Sequence, residues 1–483
     1  MFAWIKQGFF GNTRKDILSG LTVAFALIPE AIAFSIMAGV DPMVGLYASF
    51  VIAVSISFFG GRPGMISAAT GAMASLMGPL VAKHGIEYLY AATVLTGLLQ
   101  WLMGALKFGR FISFVPQPVI TGFVNSLAII IFLAQLPNFV GESWPMFLMV
   151  AGTLVIIYVL PLLTKAVPSA LVAIIVMTII AVWTGAPVRT VGDMGNITQT
   201  LPFFHIPDVY ISLEMIMTIL PISLALAVVG MTESLLTASL VDELTETDSD
   251  KNREIRGQGI ANIITGFFGG MAGCAMIGQT VINVKSGGRT RLSTLVAGVF
   301  LLFLIIVLGD VVKQIPMAAL VGVMFMVSIG TFEWNSLRTL YRIPLGDTVV
   351  MLTTVIIVVA THNLAIGVMI GIVLSALNFG WKMARIYANP HIEANGVKVY
   401  EIRGQLFFGT AMYFIKLFDA HNDPDHVTID FSKSHVWDQS GTDAISKIFN
   451  KYKEAGKHMT IVGLNEESKR MVERMGLASS SSH

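Results

Sequence analysis

A chain of 483 residues with 54% hydrophobic and only 13% charged residues, and a mean hydropathy of +0.74, is too apolar for an ordinary soluble protein and reads as a polytopic membrane protein. Its formal net charge of +1 gives no basis for a nucleic-acid partner, and the single Cys274 excludes a disulfide framework or a cysteine-rich metal site.

At the N-terminus Lys6, Arg14 and Lys15 precede an apolar run without a small-residue cleavage site, so the first span is expected to be retained. Apolar segments of spanning or half-spanning length follow at about 17–38, 43–60, 64–83, 87–107, 117–137, 145–163, 168–186, 213–240, 256–271, 273–285, 292–310, 316–332, 344–362 and 364–387. That is fourteen, or seven plus seven. A cytoplasmic N-terminus then puts seventeen Lys and Arg residues inside, among them Lys6, Arg62, Lys165, Arg256 and Arg291, and only Lys83, Arg189 and Lys313 outside. This bias predicts a multi-pass protein of the cytoplasmic membrane with both termini cytoplasmic. An odd number of spans per half makes the halves insert in opposite senses, which is the topology of an inverted repeat.

Two segments are interrupted. Ser67-Ala68-Ala69-Thr70-Gly71-Ala72-Met73-Ala74-Ser75 follows the breaker Gly60-Gly61-Arg62-Pro63-Gly64. Ala272-Gly273-Cys274-Ala275-Met276-Ile277-Gly278-Gln279-Thr280-Val281-Ile282-Asn283-Val284-Lys285 follows Gly269 and Gly270. Glycines let the backbone run non-helically at membrane depth, and a helix starting near Cys274 would turn unpaired N–H groups and the positive end of its dipole inward. Such a start holds a small anion without a cationic side chain. One broken segment in each half points to the binding site of a secondary transporter.

In the eighth segment, Glu233 is a carboxylate at mid-membrane, which is costly unless it functions. Thr237 lies one helical turn on, on the same face, where the two can converge on one ion. The plainer alternative is that Glu233 only bonds a neighbouring broken helix. Glu30 in the first segment carries the same argument, weakened by Pro29, whose freed backbone groups it could simply satisfy. The run Asp242, Glu243, Glu246, Asp248, Asp250 and Glu254 reads as a solvated loop, with Asp242 anchoring the span end. His84, His205 and His362 lack metal-ligand spacing. Met146-Phe147-Leu148-Met149 and Met324-Phe325-Met326 read as packing or lipid-facing residues, and Gly104 and Gly109 as sites of close helix contact. No nucleophile–base pair, phosphate loop or metal cluster stands out, so no enzyme reading follows.

Beyond residue 388 the composition changes. A linker at 389–396 leads to Val397-Lys398-Val399-Tyr400-Glu401-Ile402, which alternates like a half-buried strand. Strands at 427–431 and 459–463, with helices at 410–419, 441–455 and 468–475, complete a small α/β domain at 397–478. A tail of serines and His483 fills 479–483.

Taken together, these residues resemble the sulfate permease family of anion transporters, solute carrier family 26 in animals. The likeness rests on Asp16-Ile17-Leu18-Ser19-Gly20-Leu21-Thr22, Ile28-Pro29-Glu30-Ala31-Ile32-Ala33-Phe34, Gly45-Leu46-Tyr47-Ala48-Ser49, the tenth-segment run through Thr290, and Asp438-Gln439-Ser440-Gly441, which is similar to the loop of STAS domains. The resemblance implies an α-helical transport domain at 1–388 followed by a STAS domain. A core of spans 1–4 and 8–11 would move against a gate of spans 5–7 and 12–14. Thr70 and Gly71 with Ala275, Met276 and Ile277 would form a backbone cradle lined by Glu30 and Phe34. Gln279 stands where some animal relatives carry arginine, and Glu30 where many have glutamine, which makes the site more acidic. Glu233 and Thr237 match the acid and hydroxyl of a cation site in sodium-dependent bicarbonate carriers. Ser440 matches a phosphorylated position of related soluble domains, or else serves as a helix N-cap.

The expected function is elevator-like secondary transport of a small inorganic anion, bicarbonate or sulfate, driven by sodium or protons, with no other cofactor and with a homodimer as the expected assembly. The alternatives are a passive anion channel or an exchanger. A nucleobase carrier fits less well, because the small residues of the cradle offer backbone N–H groups rather than stacking surfaces.

Overall fold

The computed structural model describes residues 8–110, 115–164, 169–195, 200–210, 212–361, 363–394 and 396–474. Lys6, Lys165, His362 and the tail 479–483 lie outside the described residues. The chain divides into two compact units at residue 372.

Each of the fourteen apolar segments carries a helix. These are α1 Thr13–Met37, α2 Pro42–Phe59, α3 Gly71–His84, α4 Ile86–Ala105, α5 Gln117–Gln135, α6 Trp144–Leu163, α7 Ser169–Thr184, α8 Leu213–Thr245, α9 Lys251–Phe267, α10 Ile277–Lys285, α11 Arg291–Lys313, α12 Met317–Thr331, α13 Leu345–Thr361 and α14 Leu364–Met383. Eight of the described helices are long and apolar enough to cross a membrane by length and composition. By contrast, α3 with 14 residues and α10 with 9 reach about 21 and 14 Å at 1.5 Å per residue, well short of a hydrocarbon core of about 30 Å. The outer surface carries exposed Leu162, Leu163, Ile179, Trp183, Val311 and Ile356. Large apolar side chains exposed in this number suit contact with lipid.

Close approach of helices is set by small residues. A Cβ on Gly97 of α4 would lie 2.5 Å from the Gly259 carbonyl of α9, and the reverse holds for Gly259, so the two backbones touch there. Gly104 likewise packs on the α9 backbone and the Arg256 side chain, as its position suggested.

The acidic run differs in part from a solvated loop, since Asp242 and Glu243 are still in the last turns of α8 and Glu254 is already in α9. Asp242 pairs with Arg62 at 3.0 Å and Lys251 at 2.6 Å, and Asp250 caps α9. Glu254 is fully buried, and its carboxylate accepts from the amides of Gly61 (2.7 Å) and Arg62 (3.0 Å). Those two backbone donors satisfy one of its buried carboxyl oxygens.

The second unit holds a sheet of β3 Ile386–Ile392, β4 Lys398–Leu406, β5 His426–Val436 and β6 His458–Val462, in the order 3-4-5-6. β3 pairs antiparallel with β4; β4–β5 and β5–β6 are parallel. Most of the expected linker at 389–396 is therefore strand and turn. The strand escaped notice because Asn389-Pro390 interrupts its pattern, which an edge strand tolerates. The helix expected at 410–419 is shorter, Ala411–Ile415, while α15 Gln439–Glu454 and α16 Glu466–Arg474 fall close to expectation. Ile402, Leu406, Phe414, Phe431, Ile445, Ile448 and Tyr452 form the core. Within it Asp423, 1% exposed at its side chain, accepts from Lys398 at 2.6 Å and from the hydroxyls of Tyr400 and Tyr452. Burial alone would raise its pKa, but the hydrogen bonds from Lys398, Tyr452 and Tyr400 outweigh that and hold it below the usual carboxylate range.

Candidate functional site

The two interrupted segments meet. β1 Ser67–Ala69 and β2 Gly273–Ala275 form a buried antiparallel ladder that pairs Ser67 with Ala275, Ala68 with Cys274 and Ala69 with Gly273. None of these six residues has much β propensity, so the strands exist through their pairing. Glycine is required at 273: a Cβ would sit 2.1 Å from the Ala68 carbonyl oxygen. Asn262 of α9 closes the ladder edge, donating from Nδ2 to the Gly273 carbonyl (3.0 Å) and accepting from the Gly273 amide at Oδ1 (2.9 Å). Its Nδ2 also donates to Gln100 Oε1 at 2.8 Å.

Each strand runs into a short helix, giving α3 after β1 and α10 after β2. The tenth-segment helix thus begins at Ile277, three residues later than a start at Cys274. Of the residues expected in the cradle, Ala275 donates its amide to Ser234 Oγ (3.2 Å) and Met276 donates its amide to the Ile66 carbonyl (2.9 Å). Ala275 packs against Met65 and Ala238. The helix start proper is Ile277, Gly278 and Gln279, and its N-cap Met276 supplies no side-chain hydrogen bond. A Cβ on Gly278 would meet nothing within 4 Å, so open space borders this turn.

At the other start, Thr70 caps α3, its Oγ1 accepting from the Met73 amide at 3.4 Å. Gly71 faces Phe34 of α1 and Ile131 of α5, 2.9 and 3.3 Å from where a Cβ would be. Glu30, one turn before Phe34, accepts from Gln279 Nε2 of α10. One face of α1 therefore reaches both helix starts.

Glu233 of α8 is buried behind the ladder. Its Oε2 accepts from the Cys274 thiol at 2.8 Å, and the Cys274 sulfur lies 3.3 Å from Thr70 Oγ1. Thr237 is buried on the same helix, but its hydroxyl donates to the Glu233 carbonyl at 2.7 Å rather than to the carboxylate. Ser440, in the second unit, is the second residue of α15. The N-cap of that helix is Asp438, which accepts from the Gly441 amide at 2.9 Å.

Several contributors escaped the sequence reading. Cys274 and Ser234 tie α8 to the ladder, Ile131 covers Gly71, and Asn262 clamps Gly273. A signal existed for Asn262: with Gln258 it forms a polar pair four apart on one helix face, both buried. Away from this centre, a cavity of about 790 Å³ is lined by Met103, Phe108, Leu224, Val228, Leu235 and Ile366 among others. Its walls are apolar, which suits hydrocarbon and not an anion.

The sequence pattern of the sulfate permease family matches residues 13–145 and 142–354, and that of the STAS domain matches 390–482. YbaR of Bacillus subtilis (strain 168) is 59% identical over 471 residues, covering 98% of either chain. Among solved structures, the transmembrane domain of a cyanobacterium bicarbonate transporter, BicA, superposes with a TM-score of 0.66 at 28% identity, covering 76% of this chain and 98% of that one. The murine solute carrier 26 family member A9 anion transporter, in its inward-facing state, gives 0.85 at 17% identity over 98% of this chain and 89% of its own, a likeness of fold.

Proposed function

The chain belongs to the sulfate permease family, and from that premise we propose that it is a secondary transporter of a small inorganic anion, bicarbonate or sulfate, across the cytoplasmic membrane. The observation that carries this reading is the buried ladder that sets two short helix starts side by side, one of them uncapped and bordered by space. Backbone amides and dipole ends attract an anion there. Fourteen spans in two inverted sevens, with both termini cytoplasmic, would place the ladder near the bilayer midplane. Spans 1–4 and 8–11, which hold every residue of the ladder and Glu233, would move as the core. Spans 5–7 and 12–14, with Ile131 at the contact, would form the gate. A homodimer is the assembly we expect.

Glu233 is the proposed coupling group. The one side-chain hydrogen bond to its carboxylate comes from a thiol, a setting that supports a proton over sodium, since a hard cation asks for several oxygen ligands. Uptake of labelled bicarbonate and sulfate into proteoliposomes, with imposed proton or sodium gradients, tests both points. Accumulation driven by a proton gradient, abolished by Glu233→Gln in a protein with unchanged melting temperature, is the expected result. Flux that stays strictly downhill under every gradient would mean a channel or exchanger instead.

A further inference from the structure

We propose that the apolar cavity between α4, α8 and α14 holds one acyl chain of an anionic phospholipid from the surrounding bilayer, with the lipid phosphate drawn to Lys107 and Arg110 at its mouth. The cavity is a groove with a definite run. Pro221, Leu224, Val228, Met231 and Leu235 line it and recur every three or four residues, so they form one stripe along α8. Pro221 and Leu224 are exposed, Val228 and Met231 half-buried and Leu235 buried, so the groove deepens from its Pro221 end towards Leu235. Ile366 and Met369 of α14 line it as well. α4 lies beside α8 and runs in the same direction, since Ser223 donates to the Ala92 carbonyl at 3.1 Å and Gln100 abuts Gly230. Met103 and Phe108, which also line the groove, therefore come at its deep end, near Leu235.

Its size suits a lipid chain. Pro221 and Leu235 lie about 21 Å apart along α8 at 1.5 Å per residue, longer than the roughly 15 Å of hydrocarbon in one leaflet. The volume of about 790 Å³ falls within the roughly 300–1,000 Å³ of sites that hold an organic ligand. Apolar walls alone give a chain no reason to leave the bilayer, because lipid tails are as apolar as leucine. Retention of one lipid needs a polar anchor, and the deep end has one. Lys107 and Arg110 flank Phe108 in sequence and are both exposed. Arg256 of α9 lays its stem against Gly104, next to Met103, and is exposed too. None of the three forms an ion pair among the described residues. Lys107 also ends α4 in the left-handed region, at φ +62°, where glycine would cost less. In the proposed orientation this end of α4 is cytoplasmic, and basic residues beside a groove between spans on that side recognise anionic headgroups. A zwitterionic headgroup carries its own cation and gains less there. Under the division proposed above, α4 and α8 belong to the core and α14 to the gate, so a lodged chain lies between the parts that would slide.

Phosphatidylglycerol against phosphatidylcholine with identical chains separates the anchor from the groove. The full-length protein, delipidated in detergent, is titrated with each lipid, and native mass spectrometry and thermal melting report binding. Phosphatidylglycerol should bind at least about tenfold more tightly, the scale expected of two basic residues at a membrane surface. Lys107→Gln combined with Arg110→Gln should bring the two lipids within about twofold. Val228→Trp fills the groove and should weaken both lipids. Met369→Trp does the same from the opposite wall at a half-exposed position, and so keeps the test if Val228→Trp melts early. Glycerol phosphate, a headgroup without a chain, should not compete. Equal binding of the two lipids by the unmodified protein, a preference that survives the double glutamine variant, full lipid binding in both tryptophan variants, or displacement by glycerol phosphate would each overturn the proposal. None of these outcomes depends on which anion is carried.

Discussion

The starts of α3 and α10 are built from the same parts, a three-residue strand running into a short helix, yet they end differently. At α3 the Thr70 hydroxyl caps the helix, and Phe34 and Ile131 close over Gly71. At α10 Met276 leaves the cap empty, Gly278 borders space, and the nearest side-chain pair is Gln279 with Glu30. A shared ladder thus fixes where both starts lie, while the side chains of other helices decide which one is covered. Position and chemistry have separate sources here.

The sharpest way to break the comparison is to remove what the starts share. Gly273→Ala drives a Cβ against the Ala68 carbonyl, so ladder and both starts should be lost together, at a cost of about 3 kcal/mol or more. A melting curve and an uptake assay check it, and near-normal stability would show that the ladder yields. Next, Gly278→Leu fills open space on one start only. Transport should fall at least about tenfold, while the melting temperature holds or rises, since leucine is the better helix former by up to about 1 kcal/mol. Gly71→Leu should instead destabilise, because Phe34 and Ile131 already occupy that space. If both leucine variants melt alike, the asymmetry between the starts is wrong.

A smaller effect is expected at the caps. Thr70→Val should cost about 1 kcal/mol through the lost cap on α3, together with its contact to Cys274, whereas Met276→Ala removes no side-chain cap. Denaturation of the two variants side by side would reveal equal losses if the caps were alike. Smallest for the site is a change in the second unit. Asp423 sits in its own buried cluster, so its ionisation should alter the stability of that unit and leave anion affinity unchanged. Its pKa is depressed on folding, so the stabilisation is fully present above about pH 4, the unfolded value, and fades as pH falls through the lower folded value. Asp423→Asn should flatten that acid limb of an unfolding-versus-pH curve. An identical limb in the variant would assign acid sensitivity elsewhere.

Much of this architecture was written along the chain. Fourteen apolar runs, two of them short and broken by glycine, and the carboxylates at Glu30 and Glu233 need only hydropathy and the cost of charge in hydrocarbon to be recognised. The change to alternating strands after the last apolar run is equally local, though the first strand, with Pro390 inside it, hid behind that proline. What the sequence could not settle was the partner of each group. Gly273-Cys274-Ala275 has no strand signal of its own, and its small residues after a glycine break read equally as a helix start. It becomes a strand only because Ser67-Ala68-Ala69, some two hundred residues earlier, lies beside it with room for no side chain at 273. Likewise nothing near Glu233 in the chain announces the Cys274 thiol, nor near Glu30 the Gln279 amide. A helix start and a buried carboxylate are one-dimensional facts, fixed by composition and spacing. Which donor meets which acceptor is decided by packing across the whole chain, because a hydrogen bond reaches about 3 Å and only the fold brings two distant residues that close.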